Sequence, residues 1–273
     1  MKRNNIILMI LIISIGIIWI TPILWPLSTS LRSVSAFYKN PNLFLPLDGV
    51  TGSNYKETMS KVPLGRWYLN SFIVSFVVTI VVVIIDFLAA YPLARMKFFG
   101  KRTVYFLIIA GLMIPFSILL VPLYEFINRL GLVNTYWGII LPQFTSPFGV
   151  FLLRNYLLSI PKELEESARI DGAGSFRIML NVIFPLSIPG IVTVIIFTFL
   201  GSWNNLLWPL VATQNPMLYT ITVGLASITS VNVPNYVTIM ATASIIGGIP
   251  LYLIFFVIQK YVISGLSLKS GLK

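Results

Sequence analysis

Few side chains in this 273-residue sequence can do chemistry. Cys and His are both absent, which excludes thiolate or imidazole metal sites, Cys nucleophiles, disulfides and His-dependent triads. Carboxylates, Lys, Ser and Tyr remain. The densest carboxylate group, Glu163, Glu165, Glu166 and Asp171, lies in one polar stretch, Ile160-Pro-Lys-Glu-Leu-Glu-Glu-Ser-Ala-Arg-Ile-Asp-Gly-Ala-Gly, among Lys162, Arg169 and Arg177. No G-x-x-x-x-G-K-[ST] occurs, and Gly100-Lys101 lacks the earlier glycine, so the chain carries no phosphate cradle. Nothing in this inventory makes an enzyme, and no metal site is expected.

The polar stretch has a readable local structure. Pro161 suits a first helical turn, and Glu163, Glu165 and Glu166 cluster where the positive end of a helix dipole favours them. Leu164 and Ala168 share a face at i and i+4. Gly172 can end the helix in a left-handed conformation. A tight turn and a second helix, from about Ser175 to Pro185, are expected to follow. Spacing alone leaves two roles open, a docking helix or a solvated connector.

The elements that carry this stretch are set by composition. Hydrophobic residues make up 57% of the chain and charged residues 10%, against roughly 45–50% and about 25% in soluble domains. Residues 6–27 form an apolar run that reaches about 33 Å at 1.5 Å per residue, enough for the hydrocarbon core. It is longer than a signal-peptide core, carries Trp19 and Trp25 near its far end and lacks a small-x-small cleavage site, so it reads as a retained anchor. Further runs follow at 70–94, 103–123, 136–157, 185–210 and 236–258. The expected fold class is therefore an all-α integral membrane protein of six transmembrane helices in a single transmembrane domain, 1–273, with a loop at 159–184.

With both termini in the cytoplasm, the outside holds only Arg32, Lys39, Lys56, Lys61, Arg66 and Arg129 of the 19 basic residues. The formal charge of +11 is then a matter of topology, and nucleic acid is not an expected partner. Asp86 is the single acid deep in a span, roughly 13 Å of helix from Arg95. It is either a proton or ion relay or a buried polar contact. Glu125 and Arg129, spaced i and i+4, read as an interfacial ion pair of little consequence. Prolines 22, 92, 115, 142, 147, 209 and 250 lie in or beside spans, where each interior one removes a backbone hydrogen bond. In the last span Ala243 with Gly247, and Ser244 with Gly248, form small-xxx-small pairs suited to close packing.

Glu166-Ser-Ala-Arg-Ile-Asp-Gly172, nine residues and then Val182-Ile-Phe-Pro185 resembles the EAA motif of ATP-binding-cassette importer membrane subunits, with Ser167, Val182 and Phe184 as small departures. Asn70-Ser71, Leu88-Ala-Ala-Tyr-Pro-Leu-Ala-Arg95, Ile114-Pro115, Gly131-Leu-Val-Asn-Thr-Tyr-Trp-Gly138, Trp203-Asn204 and Gln259-Lys-Tyr-Val extend the resemblance to the carbohydrate branch, of the maltose-importer type.

The resemblance implies a type I ABC importer permease fold in the cell membrane, half of a translocation pore. It implies that Glu165, Glu166, Ser167, Ala168, Asp171 and Gly172 belong to a coupling helix that enters a cleft on a cytoplasmic ATPase dimer. ATP and Mg would then bind that ATPase, and no cofactor this chain. A second, non-identical permease subunit, an extracellular solute-binding protein and a carbohydrate substrate complete the implied partners. Gln143 and Ser146 of the fourth span, and Trp203, Asn204 and Asn205 of the fifth, carry groups that bond hydroxyls or stack on sugar faces, and are expected to line the substrate path. An aromatic belt with interhelical hydrogen bonds fits the same residues. Asn204 is the expected pore-facing member, since its amide would lose hydrogen bonds against lipid. The uncharged loop Gln214 to Asn235 either meets the binding protein or is a plain surface or re-entrant loop. The alternative from another class is an ion- or proton-coupled secondary transporter using Asp86.

Overall fold

A computed structural model describes the backbone of residues 2–229 and 235–270, with side chains for 8–229 and 235–253. Lys273, the side chains of Lys2, Arg3, Lys260 and Lys269, those of the Gln259-Lys-Tyr-Val segment, and the middle of the 214–235 loop lie outside the described residues. Every regular element among the described residues is helical. In chain order these are α1 (Lys2–Leu31), α2 (Val34–Lys39), α3 (Ser53–Lys61), α4 (Leu64–Arg95), α5 (Lys101–Ala110), α6 (Phe116–Arg129), α7 (Tyr136–Ile140) and α8 (Pro147–Ser159). They continue with α9 (Glu163–Ile170), α10 (Ser175–Ile178), α11 (Phe184–Leu186), α12 (Ile188–Trp203), α13 (Leu207–Ala212), α14 (Ile221–Ser227) and α15 (Tyr236–Ser270).

Among the described residues three stretches are long and apolar enough to cross a membrane unaided: Leu8–Leu31, Leu64–Arg95 and Tyr236–Leu253. The runs expected as continuous third, fourth and fifth spans are instead bent pairs, Lys101–Met113 with Phe116–Arg129 (99°), Tyr136–Gln143 with Pro147–Ser159 (44°), and Ser175–Leu186 with Ile188–Trp203 (72°). Proline sits at each break. Ile114 before Pro115 is extended (ψ 112), as the clash with a proline ring requires. Ser146 accepts a hydrogen bond from Gly149 N and Pro147 takes the first position of α8, so a new helix starts there. The helix expected from Ser175 to Pro185 is likewise not regular. A π-turn, Met179–Ile183, interrupts it just before Pro185, which has no N–H to donate. The fifth run ends early, at Trp203, with Asn204 as its C-cap, and α13 resumes at Leu207.

The chain divides into two compact units, residues 1–65 with 224–273, and residues 66–223. In the first, α1 and α3 pack on α15, where Ala243 and Gly247 are buried as small-residue packing requires. Beyond α1, the fully buried Arg32 guanidinium bonds Asp48 at 2.5 Å and the carbonyls of Ala36, Leu43 and Asn40, which ties the irregular 40–50 stretch to the helix end. That hydrogen bond from Arg32 holds the Asp48 carboxyl below its ordinary value of 3.8.

In the second unit α4 is the central helix. Val74, Val78 and Val82 recur at i+4 and join Ile127, Ile139, Ile140, Trp208 and Ala212 in one buried cluster. One helical stretch further on, Phe87, Ala90, Tyr91 and Ala94 join Leu153 and Leu157 of α8, Ile178, Met179 and Ile183 around the π-turn, and Ile191 and Val194 of α12. At Gly190 a Cβ would come within 2.7 Å of the Tyr156 ring, so the approach of α12 to α8 depends on glycine there.

Candidate functional site

The carboxylate stretch forms the expected short helix closed by Gly172, but Pro161 lies before it and Lys162 is the N-cap. Helix α9 begins after Pro161, carries its three glutamates in the first turn, and ends in a Schellman motif. Ala173 N donates to Ala168 O (2.9 Å) and Gly172 N to Arg169 O (3.0 Å), with Gly172 at φ +83°. Ala168 and Ala173 lean on the buried cluster around α4 and α8. The Ser167 hydroxyl bonds back to Glu163 O (2.8 Å) and stays exposed, as do Glu166 and Asp171.

The inward face is set by a charged residue. Leu164 is 43% exposed, whereas Glu165 is 5% exposed and turns inside. The reason is Arg95, the last residue of α4, whose Nε stands 3.1 Å from Glu165 Oε1. The same guanidinium donates to the carbonyls of Leu157 and Ile160 at the end of α8. Arg169 adds a looser contact to Glu165 at 3.9 Å. Leu164, Ile170 (87% exposed) and Phe176 (70% exposed) are left exposed, and Ile170 lies one turn on from the outward glutamate, Glu166.

The residues expected along a substrate path do not form one group. Asn205 Nδ2 donates to Gln143 Oε1 (3.3 Å), and Gln143 donates in turn to Ile139 O, so the breaks after α7 and α12 are joined by a polar pair. Ser146 is spent on capping α8. Trp203 is 2% exposed, stacked on Phe199 and edge-on to Tyr68. Asn204 is exposed, but its amide bonds Leu200 O within its own helix (3.0 Å), so the premise that favoured it, an unsatisfied amide, does not hold. Glu125 and Arg129 are exposed and 3.9 Å apart, a contact of little consequence.

Asp86 is 1% exposed, and neither carboxylate oxygen has a hydrogen-bond partner among the described residues. Its carboxylate lies against Gly149, where a Cβ would overlap Oδ2. That position is the first turn of α8, where the positive end of the helix dipole favours a negative charge.

Sequence reasoning missed a second convergence in this unit. Asn70 donates to Met217 O and Tyr219 O (both 2.9 Å) and accepts from the Tyr136 hydroxyl, while Ser71 accepts from Ile221 N. Asn134, at φ 60°, accepts from Gln214 N and Asn215 N, and a Cβ at Gly138 would overlap Leu132 O. The Asn70-Ser71 and Gly131–Gly138 segments therefore pin residues 214–222 of the uncharged loop. Their polar side chains in apolar surroundings were the available signal.

The model of the binding-protein-dependent transport system inner membrane component family matches residues 83–267, more than half of the chain. The chain belongs to this family. An arabinooligosaccharides transport system permease of Halalkalibacterium halodurans is 36% identical over 74% of this chain and 72% of its own length. A diacetylchitobiose uptake system permease of Streptomyces coelicolor is 34% identical over 94% and 85%, and an sn-glycerol-3-phosphate transport system permease of Agrobacterium fabrum 33% over 94% of each. A bacterial ABC transporter structure involved in import of the polysaccharide alginate superposes with a TM-score of 0.85 over 95% of this chain and 96% of that one, at 24% identity, and shares the fold. As an inner membrane component, the chain is a multi-pass protein of the cell membrane and a permease subunit of a transport complex that works with an ATPase and a binding protein, with no ATPase site of its own. Family membership leaves the ion-coupled alternative without support.

Proposed function

We propose that this chain forms half of the pore of an ATP-driven sugar importer, with each bent pair acting as one span, six spans in all, and both termini in the cytoplasm. Its partners are a second, non-identical permease, a dimeric cytoplasmic ATPase that binds ATP and Mg, and an external solute-binding protein. The observation that carries the reading is α9: a short helix end fixed by Gly172, with Glu166 and the exposed apolar side chains of Leu164, Ile170 and Phe176 outward. Such a ridge suits a helix-in-groove contact. Closure of the ATPase on ATP pulls the paired coupling helices together and switches the pore from inward-facing to outward-facing. The arabinooligosaccharide and diacetylchitobiose relatives favour an oligosaccharide as substrate. Gln143 and Asn205 take precedence over Asn204 as path residues, with Ser146 and Trp203 supporting the helices around them.

Affinity purification of the full chain from its native membranes tests this. An ATPase with a P-loop and a second six-span permease should come with it. A chain that purifies alone and moves solute only under a pH gradient, with Asp86→Asn abolishing that movement, is the contrary result.

A further inference from the structure

We infer that Arg95 and Glu165 form an internal strut that makes the coupling helix α9 and the ends of α4 and α8 move as one body. The inference rests on α9 being the helix that docks on the ATPase. It assigns the adjacent glutamates opposite tasks: Glu166 faces outward to the partner, and Glu165 works inside this chain.

The guanidinium sits where three elements end. Its Nε stands 3.1 Å from Glu165 Oε1, a buried ion-pair contact without hydrogen-bond alignment, and its Nη2 donates to the carbonyls of Leu157 and Ile160 (2.6 Å for the latter). Those carbonyls are at the end of α8, where Leu157 O also accepts from Ile160 N (3.2 Å) and Ile160 O lies past the last helical turn. The side chains of Arg95 and Glu165 are 2% and 6% exposed, so water neither screens the pair nor replaces either partner. A planar guanidinium can hold a carboxylate along one edge and carbonyls along another, which a lysine ammonium cannot reproduce.

A second arginine locks the same ends in the reverse sense. Arg154 of α8 donates from Nε to Leu93 O of α4 (3.2 Å) and lies 3.9 Å over the Tyr105 ring of α5. Lys101 of α5 donates to Met96 O (2.9 Å) just beyond α4. The ends of α4 and α8 and the start of α5 are thus cross-braced without α9. Glu165 is the charged side chain through which α9 enters that brace. Without it, α9 keeps its Schellman end and its apolar lean on the cluster but loses its charged link to the end of α4.

The test uses the assembled complex, with the other subunits free of cysteine. This chain has none of its own, so Met96→Cys and Glu163→Cys place two spin labels at exposed sites on either side of the strut. The distance between them should be the same in the nucleotide-free and ATP-bound complex. In Glu165→Gln and in Arg95→Lys it should broaden and shift when ATP binds, while the ATPase stays bound. A native distance that changes on ATP binding overturns the proposal, and that measurement leaves the strut itself unaltered, so it does not depend on a variant folding. Release of the ATPase by Glu165→Gln also overturns it, because Glu165 would then be a docking residue. Ile170→Asp, which leaves the strut intact, should release the ATPase; retention there removes the docking reading, and this inference with it.

Discussion

Replacing Gly172 isolates the backbone conformation on which the end of α9 depends. Gly172 sits at φ +83° and a Cβ there would meet nothing within 4 Å, so side-chain bulk is not resisted and only the backbone preference counts. For an L-residue with an ordinary side chain, that region costs about 1–2 kcal/mol. Gly172→Ala should therefore depopulate the Schellman end roughly five- to thirty-fold. The β-branched Gly172→Val should cost up to about 3 kcal/mol, and Gly172→Asn least, because Asn tolerates left-handed geometry. If the end unwinds, the bonds from Gly172 N to Arg169 O and from Ala173 N to Ala168 O go with it. Amide hydrogen exchange at 172 and 173, read beside the amount of ATPase retained per permease, follows both consequences. Exchange and ATPase loss should rise together in the order Gly, Asn, Ala, Val. Native protection in Gly172→Val, or Asn as labile as Val, refutes the reasoning.

Gly149→Ala should destabilise the chain by about 1–3 kcal/mol through overlap with the Asp86 carboxylate. Asp86→Ala should relieve most of that cost, and a double-mutant cycle on thermal stability in detergent that shows simple additivity contradicts the contact. Asn205→Leu, which leaves the half-buried Gln143 Oε1 without its donor, should weaken sugar uptake several-fold, in line with about 0.5–1.5 kcal/mol for one hydrogen bond. Asn204→Leu should be nearly silent, and the reverse order in a transport assay restores Asn204 to the path. Because the Asp48 carboxyl titrates below its ordinary 3.8, the Arg32–Asp48 tie contributes stability above that value and loses it as pH falls through the lower folded one. Protease nicking of residues 40–50 should thus be flat from neutral pH to about 5 and rise only below about 4. In Asp48→Asn it should be high throughout, and a native nicking step near neutrality contradicts the assignment.

What was legible in the sequence was local. Gly172 closes its helix with no contribution from distant residues, so its left-handed turn could be read from spacing alone. The apolar runs were legible because hydropathy is a property of a window, and the breaks within them were lost for the same reason. Proline alone does not separate the cases: Pro92 and Pro250 lie inside continuous helices, while Pro115 and Pro147 mark breaks. The distinguishing sign at Pro147 is Ser146 before it, a capping side chain followed by a proline at the first helical position. That Glu165 turns inward could not be read locally, because its partner is Arg95, on another helix far away in sequence. The i, i+4 pattern that set Leu164 and Ala168 on one face weighs apolar residues and cannot register a buried ion pair. Asn70 and Asn134 were visible only as fragments of a resemblance, since their acceptors and donors lie in a loop that no local rule connects to them.

The claim on which the account turns is that α9 presents its outward face to an ATPase. A photo-crosslinking amino acid at Ile170, 87% exposed at the end of that helix, addresses it in native membranes without disruption of the complex. After irradiation, the account predicts one dominant adduct, with a P-loop ATPase subunit, and its loss when the same probe is placed at the inward Glu165. Adducts confined to lipid or to a second copy of this chain contradict it.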